Sequence, residues 1–140
     1  MNVPRVLIER GWNKRPLTFS DFESLCSEHG VLIQWVAMKT PGMFFVCEGQ
    51  PFISLSKKLQ GVLLWIVAWH EFAHYLLHPP GLRCFTNGTV NKIEEEAQSI
   101  ALCCVIDEHT LFRILAHGEL HDIPRKILEA RARVLDRYKV

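Results

Sequence analysis

A chain of 140 residues, 49% hydrophobic and 22% charged, is long enough to bury one core and too apolar to be disordered. Its 16 Lys and Arg against 15 Asp and Glu leave a net charge of +1, so overall charge gives no reason to expect nucleic-acid binding. The five cysteines, Cys26, Cys47, Cys84, Cys103 and Cys104, are odd in number and lack CxxC spacing, which suits reduced thiols in a cytoplasmic protein better than a disulfide framework.

The N-terminal MNVPRVLIERGW has no long apolar core followed by a small-residue cleavage site, so no secretory signal is expected, and residues 1–16 read as an N-terminal extension. Leu17 to Gly30 reads as the first helix. Thr18 or Ser20 can cap it, Ser20 with Glu23 makes a capping box, and Gly30 ends it; Phe22, Leu25 and Cys26 form the apolar face. Val31–Met38, Met43–Cys47 and Phe52–Leu55 read as strands separated by the turn signals Thr40-Pro41-Gly42 and Glu48-Gly49-Gln50-Pro51. Turns this short predict an antiparallel meander.

Ser56 can cap the long helix that follows and ends near His78, where Pro79-Pro80-Gly81 stop it. Pro79 to Thr89 reads as a loop. A further helix is expected from about Asn91 to Ile106, with Glu94, Glu95 and Glu96 suited to a helix N-terminus through the macrodipole. His109–His117 reads as a short helix broken by Gly118. Asp122 can cap the last helix, Ile123–Tyr138, in which Ile127, Leu128, Val134, Leu135 and Tyr138 form the core stripe. Arg125, Lys126, Arg133 and Arg137 fall largely off that stripe, as a solvated face would.

Chemistry concentrates in Val62–His78, VLLWIVAWHEFAHYLLH, around His70-Glu71-Phe72-Ala73-His74. Residues four apart on a helix share a face, about 6 Å apart along the axis, so two imidazoles can close on one zinc. Glu71 beside them can take a proton from a zinc-activated water. The run is apolar on nearly every side and therefore buried, and buried ionisable groups need partners. His78 lies about 12 Å along the axis from His70, too far for the same metal, and reads as a helix-end residue or a donor behind a ligand. The segment is shorter than the ~20 residues of a usual membrane span and carries His70, Glu71 and His74, so no membrane association is expected.

A catalytic zinc needs three protein ligands. Downstream candidates for the third are Glu94, Glu95, Glu96, Asp107, Glu108, His109, His117 and His121. Helical geometry leans toward Glu94, which shares its face with the small residues Ala97 and Ala101. Glu95 aligns with Gln98 and Ser99, a face more like solvent, and Glu96 with the bulkier Ile100 and Cys103.

With HEFAHYLLH followed by Glu94-Glu95-Glu96-Ala97-Gln98-Ser99-Ile100-Ala101-Leu102-Cys103-Cys104, and with a C-terminal IPRKILEARARVL, the chain resembles the ImmA/IrrE zinc metallopeptidases over roughly residues 17–138. It departs from their pattern at Gln98, usually Asn or Asp, at Ile100, usually Phe, and at Cys103–Asp107. The resemblance implies His70, His74 and Glu94 as zinc ligands, Glu71 as general base, and a single α+β, gluzincin-like domain over 1–140. It also implies a cytoplasmic endopeptidase acting on a helix-turn-helix repressor, with zinc or manganese as cofactor. An oxyanion partner is open among Tyr75, His109, His117 and His121. Two rivals stand beside the protease: a zinc-binding regulatory or antitoxin-like module that does not cut its partner, and a structural helical domain in which HEFAH is a buried polar cluster.

Overall fold

The computed structural model describes residues 3–78 and 87–134, with residues 87–90 described in their backbone alone. The elements run α1 (Arg5–Glu9), α2 (Phe19–His29), β1 (Leu32–Val36), β2 (Gly42–Cys47), β3 (Gln50–Ser56), α3 (Gly61–Leu77), α4 (Asn87–Val105), α5 (Glu108–His117) and α6 (Arg125–Ala132). The class is α+β, with a small sheet packed on the α3 side of the helices.

The sheet corrects the expected antiparallel meander. Its order is β1-β3-β2, with β1 parallel to β3 and β2 antiparallel to it. Glu48 and Gly49, both at positive φ, make the tight β2–β3 turn that was expected. The turn expected at Thr40-Pro41-Gly42 is instead a connection over residues 37–41, taking in the expected strand end at Met38, that carries the chain past the end of β3. Crossing two strand spacings takes about 10 Å, which five extended residues span easily. The end of β3 is bracketed from both sides: Ser56 N–H donates to Pro41 O and Lys57 N–H to Val36 O. Burial explains the order. Ile53 and Leu55 are fully buried and Ser54 and Ser56 nearly so, and only a central strand is covered in this way.

Helix starts differ from expectation in four places, each for a physical reason. The α2 capping box is Thr18 with Asp21, because Asp21 is also held by Arg10 and Arg15, leaving Ser20 inside the first turn. Ser56 does not cap α3. Its hydroxyl serves the turn after β3, accepting from Lys58 N–H and facing Met38 O, and the helix begins only after Gln60. For α6 the N-cap is Pro124 and not Asp122, since the residue before a proline is disfavoured in a helix. Finally, α4 starts at Asn87, so Asn91 is internal and the three glutamates lie about two turns inside the helix. The macrodipole fades within the first turn and no longer accounts for them. The predicted stop at Pro79-Pro80-Gly81, Cys84, and Leu135, Arg137 and Tyr138 of the predicted last helix lie outside the described residues.

The core gathers around α3. Trp69 and Phe72 meet Phe22 of α2 edge to face, with ring centroids 5.7 and 6.2 Å apart. Truncating a buried aromatic of this kind costs about 3–5 kcal/mol. Ala68 and Ala73 are fully buried on α3, as are Ala97 and Ala101 on α4, and such small side chains let the two helices lie close together. Residues 3–16 contribute to the same core: Leu7 and Trp12 are buried, and Trp12 Nε1–H donates to Ile100 O of α4. On α6, Arg125 and Lys126 are exposed as expected, and just past its end, where the expected longer helix stops at Ala132, Arg133 is exposed and Val134 buried. Arg131 is buried too, donating to Ile106 O and Asn13 Oδ1. Cys26, Cys103 and Cys104 are buried free thiols and Cys47 is an exposed one. Among the described residues, no helix is long and apolar enough to cross a membrane.

Candidate metal centre

Helix α3 presents His70 and His74 toward α4, and α4 answers with Glu94. His70 Nε2 and His74 Nε2 stand 3.1 Å apart. Glu94 spans them, with one oxygen 2.8 Å from His70 Nε2 and the other 3.1 Å from His74 Nε2. The three side chains form a group able to hold a metal ion. Ligand atoms around a tetrahedral zinc stand about 3.3 Å apart, given Zn–N and Zn–O bonds of 2.0–2.2 Å, so the observed triangle is a few tenths tighter.

The remaining ring nitrogens decide what this triangle can bind. His70 Nδ1 lies 2.7 Å from Gln98 Oε1, one turn along α4 from Glu94. An amide oxygen only accepts, so His70 carries its proton on Nδ1 and turns the Nε2 lone pair inward. His74 Nδ1 lies 3.2 Å from His78 Nδ1, whose Nε2 lies 3.2 Å from Glu96 Oε1. Two imidazole nitrogens and a carboxylate thus face one another, a donor set that fits a divalent cation. Burial acts to raise the Glu94 pKa, but positive charge on the His74 and His70 rings and hydrogen bonds from them outweigh it and hold the carboxyl below its ordinary value.

Glu71 is 7% exposed and lines a cleft of ≈ 390 Å³ together with His70, Glu94 and Gln98. Apolar Leu63, Ile66, Val67 and Ile127 form much of its wall, and Thr40, Pro41 and Gly42 close one side. Gly42 permits this closure. A Cβ there would come within 2.7 Å of Val67 Cγ1 and 3.2 Å of Glu71 Cγ, so only glycine lets β2 start against the face of α3 that carries Glu71.

The structure thus brings together His70, Glu71, His74 and Glu94. It places the other candidates elsewhere. Glu95 is exposed. Asp107 caps α5, and Glu108 and His109 line a separate cavity with Asn13, Lys14 and Phe112. Tyr75 packs on Phe72 and Phe44 with its hydroxyl 3.4 Å from His29 Nδ1, and His117 and His121 are exposed. None of these lines the cleft. His78 lies outside the group of three, with its Nδ1 3.2 Å from His74 Nδ1. Gly42 carried no sequence signal for a place at the site, since it had a ready explanation as a turn glycine, and Glu96, a candidate third ligand, instead lies with its Oε1 3.2 Å from His78 Nε2.

No known protein family, curated protein or solved structure matches the chain. The functional reading therefore rests on residue chemistry and on the motif resemblance.

Proposed function

We propose that this chain is a zinc-dependent endopeptidase of the ImmA/IrrE type, with His70, His74 and Glu94 as metal ligands and Glu71 as general base. One observation carries the reading: three lone-pair donors converge beside a buried carboxylate, Glu71, at the mouth of an apolar-walled cleft. Zinc or manganese held there would supply Lewis acidity toward a water and a substrate carbonyl. Glu71 takes the proton of the attacking water and returns it to the leaving amine. His70 and His74 are oriented by their Nδ1 partners. The cleft wall receives apolar substrate side chains and excludes water from the reacting groups.

The substrate class is a protein, and the motif resemblance points to a helix-turn-helix repressor in the cytoplasm. Free thiols at Cys26, Cys103 and Cys104 suit a reducing compartment. Incubation of purified chain with a repressor encoded beside it, with and without chelator, tests the reading. Cleavage that requires both metal and Glu71 is expected. Metal content without hydrolysis would favour the non-cutting regulatory module, and absence of metal would favour the structural helical domain.

A further inference from the structure

We infer that the cleft selects two apolar side chains of an extended peptide: the first and the third residue, counted away from the bond to be cut, on one side of that bond. This rests on the endopeptidase reading given above. It deepens that reading by assigning Leu63, far from the metal ligands along α3, as the residue that sets the more distant preference.

Helix α3 supplies the floor of the cleft. Leu63, Val67 and Glu71 all line it and follow one another at four-residue spacing, so they form one stripe with a step of about 6 Å along the axis. Counted from Glu71, the proposed general base, Val67 lies about 6 Å away and Leu63 about 12 Å. An extended peptide turns alternate side chains to the same side, at steps of about 6.6–6.8 Å. The two steps agree to within about 1 Å. A peptide lying along α3 with the bond to be cut beside Glu71 therefore sets its first side chain on Val67 and its third on Leu63. The second turns away from the helix.

The chemistry of the lining fits such an occupant. Among the described lining residues the ionisable groups are His70, Glu71 and Glu94, all at the metal end, so the stretch toward Leu63 offers no cation to an acidic side chain. Leu63 is 53% exposed, the more exposed of the two large apolar residues that α3 leaves to water. A lone exposed leucine is ordinary, but this one stands in line with the proposed base on the floor of a cleft. The competing account gives Leu63 no part in binding and lets the cleft take a single apolar side chain next to the metal.

The experiment measures binding of tripeptide hydroxamates to the zinc-loaded full chain by titration calorimetry, a readout that needs no turnover. In one series the peptide runs to the amino side of the hydroxamate, in the other to its carboxyl side. Within each, Leu, Ala or Asp occupies the first, second or third position from the hydroxamate. In one of the two series Leu should gain about tenfold over Ala at the first position and about tenfold again at the third, with little gain at the second. Asp at the third position should bind no better than Ala. Leu63→Ala and Leu63→Glu should each erase the third-position gain. A gain confined to the first position, or equal gains at the second and third, overturns the inference while leaving the metal reading intact. A third-position gain that survives in both Leu63 variants overturns it too, as does a zinc-loaded chain that binds neither series. Probes that bind in the expected pattern, with free peptides of the same pattern left uncut, uphold the groove and overturn the endopeptidase reading. A chain that takes up no Zn2+ overturns both.

Discussion

Replacing the three adjacent acids of α4 one at a time tests the centre most sharply. Glu94 reaches both imidazoles, at 2.8 and 3.1 Å, whereas Glu95 is exposed and Glu96 faces His78. Small structural zinc sites bind with apparent free energies of about 10–16 kcal/mol, so one ligand in four carries about 3 kcal/mol. At 1.4 kcal/mol per decade, Glu94→Ala should weaken zinc binding by about a hundredfold. Glu96→Ala should cost about tenfold through the loss of its hold on His78, and Glu95→Ala should leave the affinity as it is. Chelator competition on metal-free protein measures all three, and the unfolding midpoints of the metal-free variants control for folding. If the acids served only the helix terminus, each would cost about 0.3–1 kcal/mol of stability and none would cost metal. Equal small losses across the series, or metal loss confined to Glu95→Ala, would refute the assignment.

Glu71→Gln should retain metal and fold while losing turnover by about 10²–10⁴-fold, because Gln can hold a water without taking its proton; undiminished cleavage would remove Glu71 from the mechanism. Chelation of the holoprotein should lower the melting temperature: at a free zinc concentration 100 times Kd the metal adds about 2.7 kcal/mol, or about 10 °C for a domain of this size, and calorimetry with and without chelator checks it. Gly42→Ala should destabilise by about 1–3 kcal/mol and slow turnover without loss of metal, and adding Val67→Ala should recover much of the stability, since Val67 Cγ1 is the nearest obstruction. Asp21 supplies a pH signature. Burial alone would raise its pKa, but hydrogen bonds from Arg15, the Thr18 backbone and Arg10 hold it well below the carboxylate range. A depressed folded pKa means stability present above the unfolded value of about 3.9 and lost as pH falls toward the folded one. Asp21→Asn should therefore cost about 1–2 kcal/mol near neutral pH, with the gap from wild type closing below about pH 4 in denaturant titrations.

Local chemistry was legible in the sequence because it depends on spacing within single elements. His70 and His74 share a helix face through the i, i+4 rule, and an apolar run around them shows that the face is buried. Ala97 and Ala101 mark the side of α4 that lies close to α3, and with it the inward place of Glu94. Gly30 and Gly118 end helices because a left-handed residue costs glycine nothing, wherever the helix packs. What tertiary structure decided is what depends on partners remote in the chain. Strand order is such a case: the turn signals allow β1 and β2 to be neighbours, and only the demand of Ile53 and Leu55 for cover on both sides puts β3 between them. The cap of α2 went to Thr18 because Arg10 and Arg15 converge on Asp21. Glu96 and Gly42 reveal their places only when α4 and β2 are laid against α3. A hydrogen bond or a close approach between elements is a distance in space, and no periodicity along one element encodes it.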